Sequence, residues 1–234
     1  MNETQKERYN RHIIVPQIGS EGQEKLLKAK VLVVGAGGLG APILQYLTAA
    51  GIGTIGIVDA DVVSLSNLQR QILYREDEVG KPKAEIAHST LSKLNSDVNI
   101  ITYPFMLSDE NAVDIIGAYD IVIGATDNFA SRVCIDKETK KQGKPFINGS
   151  ICEFEGQISV FNYKGGMSYT DLYPDLPDES SLPKGVMGVL PGIIGSMQAC
   201  EAIKIIIQQG DILANKLLVY NALNTSIQVL KLGN

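Results

Sequence analysis

Residues 31–47, VLVVGAGGLGAPILQYL, constrain the fold more than any other part of the 234-residue chain. The run VLVV within KVLVVG (30–35) is unbroken in its apolar character, which suits a parallel strand covered on both faces. Gly35, Gly37 and Gly40 follow in the spacing Gly-x-Gly-x-x-Gly, and a helix is expected from Gly37 to about Ala50. Such glycines permit a tight turn and a close backbone approach to phosphate at the positive end of that helix. Pro42 falls near the helix start, where a missing N–H costs little. Asp59, 19 residues past Gly40 at the end of the next strand, is placed to bond ribose hydroxyls. Chains of this design mostly hold NAD or FAD, so these two features alone favour a redox dinucleotide. Two later segments shift that balance.

The rest of the chain sets the frame. Residues 1–28 read as a polar helical lead-in, TIGIVDAD (54–61) as the second strand, and 83–94 as a helix. VNIITYPF (98–105) reads as a third strand and DENAVDII (109–116) as a helix. YDIVIGATD (119–127) and KPFINGSI (144–151) read as strands on either side of a helix at 129–143. This alternation predicts an α/β fold: a doubly wound, Rossmann-like, mostly parallel sheet with helices on both faces. FEGQISVFNY (154–163) then alternates as an antiparallel strand does. Residues 164–185 read as an irregular crossover loop of unusual length. A long apolar helix at 191–210 and a hairpin at 216–232, turning near Asn224, complete the pattern. One domain is expected over 1–234: the helical segment 1–28, a nucleotide-binding half 29–151, and an antiparallel, partner-binding half 152–234.

A formal net charge of −5 argues against a general nucleic-acid binder, which needs a basic face. No run of about 18 apolar residues stands out, so no membrane partner is expected. The polar opening MNETQKERYNRH lacks a secretory apolar core, which points to the cytoplasm. Cys134, Cys152 and Cys200 are isolated and form no C-x-x-C pair; buried thiols in a reducing compartment are expected.

The segment DADVVSLSNLQRQILYREDEVGKPKAEIA supplies Asn67, Arg70, Lys81 and Lys83 soon after the ribose carboxylate. Glycine-loop amides suffice for a dinucleotide pyrophosphate. A triphosphate whose pyrophosphate departs needs further cations, such as Arg70 and Lys83. The plainer alternative is a solvated charged loop. In IGATDNFASR, Asp127 ends the fourth strand facing the crevice, where a carboxylate suits magnesium beside phosphates. Asp127 and Asn128 are also favoured helix caps.

RYNRHI, GAGGLGAP, DADVVSLSNLQRQ, VGKPK, ATDNFASR, FEGQISVFNY and GVLPGIIGSMQACEAIK together resemble the ThiF/MoeB/HesA family, over roughly residues 5–232. These are bacterial relatives of the ubiquitin-activating enzymes. The resemblance implies an adenylyltransferase that uses ATP and Mg2+ to activate the C-terminal glycine of a small ubiquitin-like sulfur carrier protein ending in Gly-Gly, with release of pyrophosphate. It implies that Gly38 and Asp59 contact the nucleotide, with Asp59 on the ribose. Asn67, Arg70 and Lys83 would hold phosphates, and Asp127 would place the magnesium. Arg11 would reach into the neighbouring subunit's site, so a homodimer is expected. The candidate nucleotide contacts are then Gly35, Gly37, Gly38, Gly40, Asp59, Asp61, Ser66, Asn67, Gln69, Arg70, Lys83, Asp127 and Asn128. The candidate catalytic groups are Arg70, Lys83, Asp127 and Arg11.

Only two histidines, His12 and His88, are present, and no Ser-His-Asp or Cys-His constellation assembles. Acyl adenylation needs none, because the attacking carboxylate has a pKa of roughly 3.5 and is already ionised. Many relatives hold zinc through two C-x-x-C pairs. Ser168-Tyr169-Thr170-Asp171 occupies the first position here, so zinc is not expected. Ser181 stands where sulfur-transferring relatives carry a crossover-loop cysteine. An external persulfide donor is therefore expected, with Cys152 the one alternative thiol. Tyr169, Leu172 and Tyr173 are the candidates for covering the carrier's tail, and the apolar helix is expected to be core with dimer contacts. A ThiS-like carrier and thiazole synthesis are preferred over a MoaD-like carrier and molybdopterin, because the chain is short and shows no appended sulfurtransferase domain. The competing readings are an NAD(P)-dependent oxidoreductase, against which Arg70, Lys83 and Asp127 argue, and a non-catalytic nucleotide-binding relative.

Overall fold

A computed structural model describes residues 1–175 and 185–233. Its helices, in chain order, are α1 (Glu3–Arg8), α2 (Asn10–Ile13), α3 (Gly19–Lys28), α4 (Gly40–Ala50), α5 (Lys83–Leu94), α6 (Ala112–Gly117), α7 (Phe129–Gln142), α8 (Tyr169–Leu172) and α9 (Leu190–Ile207). The strands are β1 (Lys30–Val34), β2 (Thr54–Val58), β3 (Asn99–Tyr103), β4 (Ile121–Gly124), β5 (Phe146–Cys152), β6 (Glu155–Phe161), β7 (Lys216–Asn221) and β8 (Ser226–Lys231). They form one sheet in the order β3-β2-β1-β4-β5-β6-β7-β8. The first five in that order run parallel and the rest antiparallel, as the alternation followed by the two-residue β5–β6 turn requires. The chain winds outward from β1 to β3, then returns to the other side of β1 as β4. That reversal opens a crevice at the carboxyl ends of β1 and β4.

Alternation along the pleat sorts the core into two layers. Val31 and Val33 join Ile55, Ile57, Ile123, Ile147 and Ile158 beneath α3, α4, α5 and α9. Leu32 and Val34 join Val58, Val122, Phe146 and Phe161 beneath α6, α7 and α8. The lead-in segment is tied on by Tyr9, whose hydroxyl accepts a 2.9 Å bond from Asn95 Nδ2, and by Gln23, which donates to the Ala50 carbonyl at 2.9 Å. Strands end earlier than their residue types suggest. β2 stops at Val58 and β4 at Gly124, because Asp59 and the 125–128 segment leave the ladder for the crevice.

Three sequence expectations need correction. Cys152 and Cys200 are exposed and Cys134 is half-buried, so none is a fully buried core thiol. Cys152 ends β5, and Cys200 lies on the outer side of α9. Burial is the main cause pushing the Cys134 thiol up to about 11. Second, α9, with 18 residues and a mean hydropathy of 1.4, is by length and composition apolar enough to cross a membrane. Leu190, Ile194 and Ala202 are fully buried against the sheet, however, which makes it a core helix.

Third, the 164–185 segment is not irregular throughout. A 3-10 turn covers Tyr163–Gly165 and α8 follows it. Tyr169 is 1% exposed and packs edge-on against Phe161, so it is part of the core rather than a movable cover. Leu172 and Tyr173 are half-buried. Asp136 of α7, 1% exposed, accepts from Tyr169 N–H (2.8 Å), Thr170 N–H (3.1 Å), Thr170 Oγ1 (2.9 Å) and Asn162 Nδ2 (3.0 Å). The Ser168–Asp171 stretch is thus held by a hydrogen-bond network, and among the described residues no cluster of metal-binding side chains occurs. Ser181 lies outside the described residues.

Asp136→Ala removes the acceptor shared by four donors and leaves the buried Tyr169 N–H without one. It is expected to destabilise the protein by about 2–4 kcal/mol, read as a fall in melting temperature of roughly 4–16 °C for a chain this size.

Candidate functional site

The glycine turn forms the floor of the crevice. Gly35 takes φ +100°, and a Cβ there would lie 2.6 Å from the Ala125 carbonyl oxygen; at Gly40 a Cβ would lie 2.1 Å from the Gly35 carbonyl oxygen. Both contacts are impossible for a residue with a side chain. Between them Ala36 is clamped from two sides. Its N–H donates to Asp59 Oδ2 at 2.7 Å, and its carbonyl accepts from the Tyr74 hydroxyl at 2.7 Å. Burial, reinforced by nearby Asp59, pushes the Tyr74 phenol far up, so it stays a donor. The turn that leads into α4 is therefore held in a fixed position, with Gly37 and Gly38 lining the crevice.

The crevice has a volume of about 710 Å³ and follows the sheet from β2 to β6. Gly35, Gly37, Gly38, Asp59, Asp61, Arg70, Lys83, Asp127 and Asn128 all line it. Asp59 also accepts from Asp61 N–H at 2.9 Å, and burial is the largest influence on its carboxyl, raising its pKa above the ordinary value. Lys83, with a side chain 5% exposed, opens α5 and pairs with Asp61 at 2.9 Å. Arg70 donates to the Ser66 carbonyl at 3.2 Å and has no carboxylate partner among the described residues. Asn128 takes the cap of α7, accepting from Ser131 N–H at 2.8 Å. Asp127 is thereby left exposed at the crevice with no capping duty.

Other expected contacts lie elsewhere. Gly40 shapes the floor without lining the crevice. Asn67 closes its own 3-10 turn by accepting from Ser64 N–H at 3.3 Å, Ser66 meets Ser64, and Gln69 packs against Gly188. Arg11 sits exposed on α2, and among the described residues it makes no hydrogen bond or ion pair.

The crevice also gathers residues that pattern reading passed over: Gln71, Thr126, Arg132, Asn148, Ser150 and Gln157, together with Cys152. Arg132 closes the motif ATDNFASR, four residues after the Asn128 cap and so on the same helix face. Asn148 interrupts an apolar parallel strand near its carboxyl end. Both signals were present in the chain. Buried and without hydrogen-bond partners are Gln71 Oε1, Thr126 Oγ1, Arg132 Nε and Asn148 Oδ1. Such atoms can be completed by a ligand or by water entering the crevice.

The donor set fits a nucleotide and a magnesium ion. Asp127, an exposed carboxylate at the crevice, is of the kind that holds a hard cation together with phosphates and water.

A profile of the ThiF family matches residues 9–234. The chain is 45% identical over 233 residues to the sulfur carrier protein adenylyltransferase of Thermus thermophilus, covering 96% of this chain and 86% of that protein. It is 46% identical over 230 residues to a probable molybdopterin-synthase adenylyltransferase of Porphyra purpurea, covering 96% of this chain but 60% of that one. The crystal structure of E. coli MccB with ATP superposes with a TM-score of 0.81 at 25% identity, covering 91% of this chain and 66% of that chain.

A carboxyl whose pKa rises on folding favours the folded state when protonated. Its contribution is full below the ordinary carboxylate pKa and is lost as pH rises through the raised value. Asp59→Asn removes this titration; its amide oxygen can accept from Ala36, while the Asp61 N–H loses its acceptor. Thermal melts of the nucleotide-free proteins are expected to show the difference between variant and wild type moving in the variant's favour as pH rises from about 4 to 7.

Proposed function

This chain belongs to the ThiF family, and on that premise we propose that it is an ATP-dependent adenylyltransferase. It activates the C-terminal glycine carboxylate of a small ubiquitin-like sulfur carrier protein as an acyl adenylate and releases pyrophosphate. The observation that carries this reading is the charge inventory of the crevice. Arg70, Lys83 and Asp127 surround a glycine turn, with no nucleophile–base pair among them.

The incoming carboxylate is ionised at neutral pH, so no base is needed. One of its oxygens attacks the α-phosphorus, the bond from that phosphorus to the β-bridging oxygen breaks, and pyrophosphate leaves with the electron pair. No proton moves. The obstacle is repulsion between anions, about 4 kcal/mol for two unit charges 4 Å apart at an effective dielectric of 20. Arg70 and Lys83 supply opposing charge at fixed positions, which is worth most where charge develops. The Asp61 pairing keeps the Lys83 ammonium aimed along the floor, from which it can turn to a phosphate. Asp59 retains lone pairs for ribose hydroxyls beyond its two backbone bonds. Magnesium, when held beside Asp127, would supply further charge neutralisation for the departing pyrophosphate.

We place the working unit as a homodimer. An apolar hollow of about 500 Å³, lined by Pro42, Tyr46, Ile72, Leu94, Val189 and Ile193, supports this, with Tyr46, Ile72 and Val189 each more than half exposed. Arg11, without a partner among the described residues, would then serve the neighbouring site. The carrier's body meets the exposed β8 edge, where Ile227 and Val229 stand in solvent, and Leu172 and Tyr173 flank its tail. Sulfur comes from an external persulfide donor, a ThiS-like carrier for thiazole synthesis remains the preferred substrate, and ATP consumption places the reaction in the cytosol.

The test combines the purified protein, MgATP and candidate Gly-Gly carriers, both ThiS-like and MoaD-like. Pyrophosphate release and an AMP-linked carrier are expected, with neither product when the final glycine is deleted; if no carrier yields either product, the reading is overturned. Arg70→Ala should lower the rate about 10²- to 10³-fold with an unchanged melting temperature, and near-normal turnover would remove Arg70 from the mechanism.

A further inference from the structure

Arg132 is 9% exposed, yet among the described residues no carboxylate lies within ion-pair reach of it. Its Nη2 donates to the Thr126 carbonyl at 2.9 Å, its guanidinium carbon lies 5.4 Å from the Phe129 ring centre, and its Nε is buried without a partner. Folded proteins rarely bury a guanidinium without an anion to meet it. The crevice that Arg132 lines is the direction from which that anion can come.

The order of the strands indicates which anion. Asp59 and Asp61 follow β2, the glycine turn follows β1, and Arg132 follows β4 one turn into α7. Further along the same crevice lie Asn148 and Ser150 of β5, Gln157 of β6, and Tyr173. The ribose end of a nucleotide therefore belongs on the β2 side, and Arg132 stands on the other. Asn148, 6% exposed, offers a buried Oδ1 without a partner, and Thr126 Oγ1 is in the same state. An unpaired acceptor calls for an N–H or O–H donor; on the side away from the ribose a polyphosphate offers neither, and a peptide backbone offers N–H. An unpaired cation and an unpaired acceptor together match the last residues of an extended chain: N–H groups for Asn148, and a terminal carboxylate for Arg132.

We infer that Arg132 binds the C-terminal carboxylate of the protein substrate, with Asn148 accepting from the peptide N–H beside it. This rests on the adenylation reading above. The guanidinium holds one carboxylate oxygen and leaves the other to attack the α-phosphorus. The new bond is C–O–P, the broken bond is that to the β-bridging oxygen, pyrophosphate takes the electron pair, and Arg132 keeps its protons throughout. Arg is suited to this through its planar fork of donors.

The test measures binding without ATP, so that turnover is not required. The probes are two forms of a Gly-Gly sulfur carrier, one with its free carboxylate and one with a C-terminal amide. Wild type should bind the carboxylate form about 10- to 100-fold more tightly. Arg132→Gln should bind both forms alike, Arg132→Lys should regain part of the preference, and the affinity of each for ATP should stay within about twofold of wild type. A merely structural arginine would weaken both forms equally. Equal affinities for the two forms in wild type, or an unchanged preference in Arg132→Gln, would overturn the inference. So would a loss of ATP affinity in place of the carboxylate preference. Failure of wild type to make any acyl adenylate counts separately, against the adenylation reading.

Discussion

Three backbones meet where no side chain fits. The Gly40 α-carbon rests on the Gly35 carbonyl, and Gly35 rests on the Ala125 carbonyl. This contact lets α4 begin directly over the end of β1, with β4 close alongside. Without it the helix would tilt away, and Gly37 and Gly38 would no longer line the crevice. The clamp on Ala36 by Asp59 and Tyr74 holds the same turn from below. Asp59 accordingly has two duties: its carboxylate pins the loop, and its remaining lone pairs face the site. The raised pKa of Asp59 reflects the burial of that carboxylate at the floor.

The antiparallel half extends this floor rather than forming a second body. β6 pairs with β5 along its full length, so the crevice continues from the parallel strands beside the glycine turn to the antiparallel strand β6. α8 forms the wall on that side, fastened to α7 through Asp136 and to the core through Tyr169. A hydrogen-bonded side chain thus fixes the start of the crossover segment. The charged groups divide accordingly. Lys83 is balanced internally by Asp61, whereas Arg70 and Arg132 carry positive charge that no described carboxylate answers. Two unanswered cations in one crevice are a demand for anionic ligands.

Much of the fold was legible in the chain because apolar periodicity reports burial directly. VLVV had to be a strand covered on both faces, the glycine spacing had to be a turn into a helix, and the change to alternation at 154–163 had to mark antiparallel pairing. α5 begins and ends where its pattern placed it, at Lys83 and Leu94. The site was legible where a residue's position along one element determines its direction: Asp59, Lys83, Arg70 and Asp127 all reach the crevice. Residues in the 64–69 segment were less so. Local hydrogen bonding there competes with outward reach, and Asn67 is occupied by its own turn.

By itself the amino-acid order determined which segments pair, which faces are buried, and that a glycine turn stands beside two cations in one crevice. It did so because each of those outcomes depends on neighbours within a turn or a strand. Only the tertiary structure decided that Arg132 is buried with no counter-ion among the described residues, that Asn148 Oδ1 finds no donor among them, that Tyr169 is core and that Cys152 is exposed. Those states depend on what β5, β6, α7 and α8 place around each side chain once the sheet has closed. Burial and unmet hydrogen bonds are properties of that assembly, which no local spacing encodes.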